Sequence, residues 1–337
     1  MMGSGKLILS LDFELYWGLH DVFSIEQYEG NLTGTWEAIP AMLELFQDYE
    51  IHATWGIVGM LLASGREELY TLFPEHLPSY ETPHYSAYEH CQEAKLDEQH
   101  GCYFAPDLVE AIAETPHQEV ATHTFSHYYC LEEGQTEDNF RQDLLASKAL
   151  HARKLQGCAP LTTILFPRNQ TNEKYLNVCR ELGLTSYRGN EESSIYEPSS
   201  FSDYRSVRSR VLRLIDAYVN ITGSHTYPLP QYRHNELINL PSSRFLRPYV
   251  SNLKLLEGMR LKRITKAMTK AAKEGEVYHL WWHPHNFGRH LEENLAFLEK
   301  ILQHYRKLQQ LYGMESMSMQ EAASEIEARV EQVREAY

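Results

Sequence analysis

The stretch Glu119-Val-Ala-Thr-His-Thr-Phe-Ser-His127 decides how this chain is interpreted. It begins with a short strand-like run, residues 120–122, and then places His123 and His127 four residues apart. If the chain turns helical after Thr122, this spacing brings both imidazoles to one face. Two neutral imidazoles in that arrangement can share one divalent metal ion, most often zinc. The alternative is a pair of surface or core histidines near a helix start, so the residues that accompany the pair must decide.

The composition is typical of a soluble globular protein. The chain has 337 residues, of which 43% are hydrophobic and 23% are charged. Its formal net charge of −15 argues against a nucleic-acid-binding protein, which would carry a basic face. Length alone allows either two domains or one α/β barrel.

The cysteines and the apolar runs bear on the cellular compartment. The five cysteines are odd in number, widely spread and without CxxC spacing, which is typical of reduced thiols. We find no signal peptide and no apolar run long enough to span a membrane. We therefore expect a cytoplasmic protein that meets its substrate inside the cell.

Short apolar runs alternate with helical patterns along the chain. This alternation predicts a parallel sheet or an α/β barrel. The predicted strands are residues 6–11, 53–58, 120–122, 161–166, 185–187 and 277–282. The predicted helices are residues 35–49, 107–114, 136–155, 172–182, 252–273, 291–311 and 316–334, with a further helical stretch near 207–218.

Polar side chains follow directly after four of these strands. In a β/α barrel the carboxyl ends of the strands share one face, which carries the chemistry. Residues i and i+2 of a strand point to the same side. Asp12 and Glu14, which follow the first strand, should therefore face together, with Phe13 turned away. A metal ion or an arginine nearby would explain two carboxylates at the end of a buried strand, and the alternative is a solvated strand end. The residues concerned are Asp12 and Glu14, His123 and His127, Arg168, and His283 and His285.

As an ordered set, these residues resemble the motifs of the polysaccharide deacetylases, the family with the NodB homology domain that is also called carbohydrate esterase family four. The first motif corresponds to Asp12-Phe13-Glu14, spaced as in branches that separate the two acids by one residue. The His-x-x-x-His motif corresponds to His123 and His127. The arginine motif corresponds to Pro167-Arg168-Asn169, and the final histidine motif to His283-Pro284.

The resemblance implies a distorted (β/α)7 barrel that binds one divalent metal ion, most often Zn²⁺. It also implies one domain over residues 1–337, with insertions at about 65–106 and 191–250 and extra C-terminal helices at 291–337. The first insertion is irregular in sequence, and we expect a loop region that forms a lid or a substrate wall. The basic helix at 252–273 is interpreted as having a solvated face, in preference to a site for an anionic ligand.

By the same resemblance, Asp12 is the general base, and Glu14, His123 and His127 are the metal ligands. Arg168 is expected to orient Asp12, and His283 to protonate the leaving amine. The residues expected to bind a saccharide are Trp17, Trp282, His285 and Asn286.

The function that the resemblance implies is metal-dependent hydrolysis of an N-acetyl or similar acyl group on an amino sugar. The branch that the sequence resembles modifies surface polysaccharides such as O-antigen. One alternative is a catalytically inactive barrel that binds a glycan or a protein partner. The other is a hydrolase of a small non-sugar amide, such as a formamide or a ureide, and fold alone does not separate these activities.

Overall fold

The computed structural model describes residues 3–193, 195–196, 207–229 and 236–335. All strands in these segments belong to one sheet, and their pairs within it are parallel. The strands are β1 (Lys6–Phe13), β2 (Ala53–Ile57), β3 (Gln118–Thr122), β4 (Thr163–Ile164), β5 (Ser186–Tyr187), β6 (Ile238–Asn239), β7 (Arg244–Phe245), β8 (Val277–Trp282) and β9 (Glu315–Met317).

The sheet curls into a barrel. Its strand order is β6-β5-β4-β3-β2-β1-β8-β7, with β9 paired to the start of β1. The short segment between β6 and β7 joins the two edges, because the Ser242 N–H donates to the Gly189 carbonyl at 2.9 Å and the Ser243 N–H donates to the His279 carbonyl at 2.7 Å. The predicted α/β barrel of the (β/α)7 type is therefore confirmed.

Helices surround the barrel. They are α1 (Ile25–Asp48), α2 (Arg66–Thr71), α3 (Ala87–Glu93), α4 (His100–Tyr103), α5 (Pro106–Glu114), α6 (Glu137–Lys154), α7 (Glu173–Glu181), α8 (Val207–Tyr218), α9 (Glu257–Glu274), α10 (His285–Gly288), α11 (Leu291–Tyr312) and α12 (Met319–Glu335). Among the described residues, none of these helices is both long and apolar enough to cross a bilayer.

Strand β1 lies at the centre of the sheet, between β2 and β8, and all eight of its residues are buried. Its register pairs Leu11 with Trp55 on one side and with Trp282 on the other. These residues pack outward into the main core, between the sheet and the surrounding helices. The alternate residues of β1 therefore point into the barrel, as the position of Asp12 in the site shows below.

Helix α1 starts ten residues before the predicted helix at 35–49. The difference arises at its N-terminus, where Ser24 and Gln27 form a capping box. Each side chain accepts a hydrogen bond from the backbone N–H of the other, so this capping stabilises the first turn in addition to the packing of Ile25 and Tyr28 on the core. Helix α6 begins as predicted, with Thr136 and Asn139 forming the same arrangement.

The segment at 65–106 is not the loose loop that we predicted. It contains the short helices α2, α3 and α4, and several of its side chains are fully buried in the main core. These buried side chains include Tyr88, Cys91, Leu96, Tyr103 and Phe104. The segment is therefore a packed part of the barrel wall. The second expected insertion, at 191–250, lies partly outside the described residues.

Helix α9 and the 3-10 turn before it (Ser251–Leu256) replace the single helix predicted at 252–273. The prediction of a solvated basic face is wrong for two arginines. Arg260 packs with its guanidinium carbon 3.7 Å from the centre of the Phe297 ring, and Arg263 donates to Asp216 at 2.9 Å. Both are almost fully buried, so they hold α9 against its neighbours.

Asp216 is the centre of a buried ion-pair group. Its carboxylate accepts from Arg244 at 3.0 Å, from Arg263 at 2.9 Å and from the Thr222 N–H at 3.0 Å. Burial alone would raise the pKa of Asp216, but Arg244 and the Thr222 N–H outweigh burial and lower it. The carboxylate is therefore ionised at neutral pH and joins α8 to α9.

We expect Asp216→Ala to lower the free energy of unfolding by about 3–5 kcal/mol, because it leaves two buried arginines without their partner. A lowered carboxylate pKa stabilises the fold above the unfolded pKa near 4, and this stabilisation is lost as pH falls through the folded pKa. The difference in the free energy of unfolding between wild type and Asp216→Ala should therefore be largest at neutral pH and smaller at acidic pH. Denaturant unfolding measures it, with the exposed Asp97→Ala as control; equal stability of both variants would contradict the assignment.

Candidate metal centre

The segment that carries His123 and His127 is a loop rather than a helix. Thr124 and His127 both adopt left-handed backbone conformations, with φ of 65° and 57°. The Thr124 hydroxyl accepts from the Tyr128 N–H at 2.7 Å, which fixes the turn between the two histidines. The predicted helix after Thr122 is wrong, but the loop brings the rings together, with centroids 5.1 Å apart.

Glu14 lies against both histidines. Its Oε2 is 3.0 Å from His127 Nε2 and 3.4 Å from His123 Nε2. All three side chains are buried, and their candidate ligand atoms lie within 4.8 Å of one another. The structure thus gathers the three residues that the sequence analysis named as metal ligands, from the ends of β1 and β3.

The chemistry of these donors fits a divalent cation. His123 Nδ1 lies 2.8 Å from the Leu165 carbonyl, so Nδ1 carries the proton and Nε2 presents a lone pair toward Glu14. That Nε2 is buried and has no hydrogen-bond partner among the described atoms. A buried acceptor facing a carboxylate and a second imidazole is the arrangement that a metal ion satisfies. Two imidazoles and one carboxylate form a common catalytic zinc ligand set that leaves a coordination position open.

Asp12 lies beside this group and is held by an arginine. Arg188 donates to both oxygens of Asp12, at 2.7 Å and 2.6 Å, in a bidentate pair. Arg188 is fully buried, and it also donates to Asn169 Oδ1 at 2.9 Å. Burial alone would raise the pKa of Asp12, but the charge and hydrogen bonds of Arg188 lower it. Asp12 is therefore held as an oriented, ionised carboxylate.

The prediction that Arg168 orients Asp12 is wrong. Arg168 follows β4, in a left-handed conformation with φ of 53°, and its guanidinium donates to Asp21. It also lies 4.1 Å from the centre of the Tyr129 ring, whose hydroxyl is 3.2 Å from His127 Nδ1. Arg168 therefore supports the outer side of the histidine loop. Arg188 lies directly after β5. The rule that polar residues directly after strands are candidate site residues, which selected the others, also applies to it.

His283 lies opposite the carboxylates. Its Nε2 is 3.9 Å from Asp12 Oδ2 and 3.7 Å from Glu14 Oε1. Its side chain is 22% exposed, whereas the ligand candidates and Asp12 are almost fully buried. His283 is thus the group of this set that faces the open side of the site.

The expected saccharide-binding residues do not share one location. Trp17 and Trp282 are fully buried in the main core, so both assignments are wrong. The Trp17 indole N–H donates to the Tyr103 carbonyl at 2.7 Å, and Trp282 stacks on Phe287. Trp282 faces outward because its neighbour in register is Leu11, which packs in the core.

His285 and Asn286 lie behind His283. His285 stacks on the His283 ring at 5.1 Å, and burial, with a contribution from His283, lowers the pKa of His285 to about 3. Asn286 accepts from the Tyr28 hydroxyl at 3.0 Å. Both residues are largely buried, so their positions suit support of His283 better than direct contact with a sugar.

Asp143, on helix α6, holds the histidine loop from behind, and the sequence analysis missed it. Its carboxylate accepts from the backbone N–H of Phe125 at 2.7 Å and from the N–H and hydroxyl of Ser126. Tyr88, from the 65–106 segment, donates to it at 2.9 Å. Burial raises the pKa of Asp143 to about 6. This buried carboxylate lies 16 residues beyond His127 in sequence, without a local motif to mark it.

We expect Asp143→Asn to weaken metal binding and to destabilise the fold. The amide supplies one acceptor where the carboxylate satisfies four donors, and each unsatisfied buried donor costs about 1–3 kcal/mol. Metal titration and thermal unfolding measure the two effects. The matched control is Asp138→Asn, an exposed aspartate in the first turn of the same helix. If the two variants bind metal equally well, Asp143 does not position the loop.

Comparisons with known proteins concern the sequence family and the fold. The sequence profile of the family described as "Polysaccharide deacetylase" matches residues 33–187. No curated protein matches the sequence significantly. Among solved structures, the chain is similar to a putative polysaccharide deacetylase from Mycobacterium smegmatis, with 14% identity, a TM-score of 0.59 and coverage of 97% of this chain and 92% of that chain.

Two further structures share the fold. A probable polysaccharide deacetylase from Pseudomonas aeruginosa PAO1 has 11% identity and a TM-score of 0.55, with coverage of 95% of this chain and 89% of that chain. The Puue allantoinase has 10% identity and a TM-score of 0.56, with the same coverages. At these identities the similarity establishes the fold alone. The segment 33–187, which carries both histidines of the metal centre, therefore matches the polysaccharide deacetylase family that the ordered motifs resemble.

Proposed function

We propose that this protein is a metal-dependent hydrolase that removes an N-acetyl group from an amino sugar of a polysaccharide. The observation that carries the proposal is the convergence of Glu14, His123 and His127 beside Asp12 and His283. The match of residues 33–187 to the polysaccharide deacetylase profile supports deacetylation of a polysaccharide as the reaction class. The donor set supports zinc as the cation, because two imidazoles and one carboxylate suit it.

When bound to Glu14, His123 and His127, the cation would lower the pKa of a water molecule and polarise the amide carbonyl. Asp12 then accepts the proton of the attacking water, since Arg188 keeps its carboxylate ionised and oriented. His283, on the open side, gives a proton to the leaving nitrogen, a role suited to imidazole near neutral pH. The products are acetate and a free amine.

An aromatic wall beside His283 supports a saccharide as the substrate. Phe245 and Trp281 pack with ring centroids 4.7 Å apart, and they lie 5.6 Å and 5.5 Å from the His283 ring. Trp281 points into the barrel because its neighbour in register is Ser10, which accepts from Arg188. Phe245 is only partly buried, so its flat ring is well suited to pack on a sugar ring, with the buried Trp281 behind it.

We also propose a role in the synthesis of a surface polysaccharide, as for the O-antigen branch that the motifs resemble. The five cysteines are free and four of them are buried, which supports a reducing compartment such as the cytoplasm.

The test is hydrolysis of a panel of amides by the zinc-loaded protein, followed as acetate, formate or ring-opened acid according to the substrate. The panel contains N-acetylated oligosaccharides, their monosaccharides, a formamide and allantoin. We expect acetate from the oligosaccharides and none after chelation of the metal. Turnover of the small amides alone would replace the proposal with a non-sugar amidohydrolase. Stoichiometric metal binding without turnover of any amide would indicate an inactive, glycan-binding barrel.

A further inference from the structure

One side of helix α9, with the turn before it, presents apolar and basic side chains to solvent. Leu255 is 90% exposed and Met259 is 45% exposed. Lys262 and Lys266 continue the same face, because steps of three and four residues along a helix return to one side. Large apolar side chains at this exposure mark an interaction surface when they cluster.

A basic groove of about 390 Å³ adjoins these residues, between α9 and α11. Gly258 and Leu261 line the end near Met259, and no acidic residue lines the groove. Its lysines, which form no ion pair with any described acid, are Lys262, Lys300 and Lys307.

Helix α8 extends the surface. It packs against α9 through the buried pair of Asp216 and Arg263, so the polar side of α8 points inward. Its outward side is apolar, with Val211, Ile215 and Val219 four residues apart and exposed. Nine of the fifteen exposed large apolar side chains in the described part of the chain lie within residues 211–259, so the apolar surface is concentrated here.

The charges on this surface indicate what covers it. The chain has a net charge of −15, yet the exposed charged side chains that the structure describes on α8 and in residues 251–269 are all basic: Arg210, Lys254, Lys262 and Lys266. A second copy of the chain, paired about a two-fold axis, would bring these cations against one another. An anionic lipid surface instead offers phosphates for the lysines and an acyl boundary for Leu255 and Met259.

We propose that this surface docks the protein on an anionic lipid bilayer, with Leu255 and Met259 inserted between headgroups and the lysines of the groove on lipid phosphates. Only residues 246–250 separate the turn that carries Leu255 from Phe245 of β7, which lies against His283. Docking does not depend on the reaction that the site performs.

The experiment is cosedimentation of the full chain with vesicles. One set contains equal parts of phosphatidylglycerol and phosphatidylcholine, and the other contains phosphatidylcholine alone. We expect binding to the anionic vesicles only, weakened by salt because its charges are exposed. The double variant Leu255→Ser/Met259→Ser should bind about tenfold more weakly or worse, since the inserted apolar area is lost. The triple variant Lys262→Gln/Lys300→Gln/Lys307→Gln should also lose binding.

Leu145→Ser is the matched control, because Leu145 is 41% exposed, close to the exposure of Met259, and lies on α6, outside this surface. It should bind as wild type does. Failure to bind anionic vesicles, equal binding to neutral ones, or binding that the double variant retains would overturn the proposal. Self-association in sedimentation velocity that Leu255→Ser abolishes, without vesicle binding, would instead assign the surface to a second copy.

Discussion

Replacing Asp12 with Asn is expected to lower kcat about 10²- to 10⁴-fold, the usual contribution of a general base. The amide keeps the shape of the side chain but cannot accept the proton of the attacking water. Metal content should stay near that of wild type, because Asp12 is outside the Glu14, His123 and His127 group. Acetate release and metal analysis on the same preparation measure both quantities.

Glu14→Gln is the companion variant. It removes the carboxylate that both histidines face, so activity and metal content should fall together. The two acids lie two residues apart on one strand end, and the pair of variants separates their roles. If Asp12→Asn retains activity within about tenfold of wild type, Asp12 is not the base.

Replacing Arg188 with Met is the second large effect we expect. It removes the bidentate partner of a buried carboxylate, so the pKa of Asp12 should rise. The acid limb of the profile of kcat/KM against pH should therefore move to higher pH. At each acidic pH a larger fraction of the enzyme then carries a protonated, inactive Asp12. Loss of one partner of a buried pair should also lower the free energy of unfolding by about 3–5 kcal/mol.

The sign of the stability effect can be checked against pH. The lowered pKa of Asp12 contributes stability that is present above the unfolded carboxylate pKa near 4 and is lost as pH falls. The difference in the free energy of unfolding between wild type and Arg188→Met should accordingly become smaller at acidic pH.

Arg168→Met is the matched control, since Arg168 pairs with Asp21 and leaves Asp12 untouched. It should leave the acid limb in place. A limb that moves in Arg168→Met and stays fixed in Arg188→Met would restore the assignment made from sequence. If Arg188→Met does not fold, Arg188→Lys keeps the charge and loses the bidentate geometry, and a smaller shift in the same direction is expected.

The sequence predicted the strands that deliver the site because these strands are buried, apolar and short. Strand β8 has the predicted bounds, Val277–Trp282. Strand β1 starts at the predicted residue, Lys6, and ends at Phe13, two residues beyond the predicted end. Side-chain alternation along β1 was enough to place Asp12 and Glu14 together. Parallel strands then brought His123, His127 and His283 to the same end, as barrel topology requires.

The predictions that were wrong concern side chains whose positions depend on contacts with distant parts of the chain. The histidine loop follows no helical pattern, because Asp143 and the Thr124 hydroxyl hold it in left-handed turns. The choice between Arg168 and Arg188 depends on which strand end faces Asp12, and local sequence does not encode that. Trp282 and Trp281 differ only in which side of β8 they occupy, which becomes clear once the register with β1 is known.

We expect Glu14, His123 and His127 together to hold one divalent cation. Elemental analysis of the purified, zinc-dialysed protein measures it most directly, alongside His127→Ala and the control Asp12→Asn. We predict one equivalent of zinc in wild type and in Asp12→Asn, and a near-complete loss in His127→Ala. No stoichiometric metal in wild type, or one equivalent retained by His127→Ala, would contradict the account.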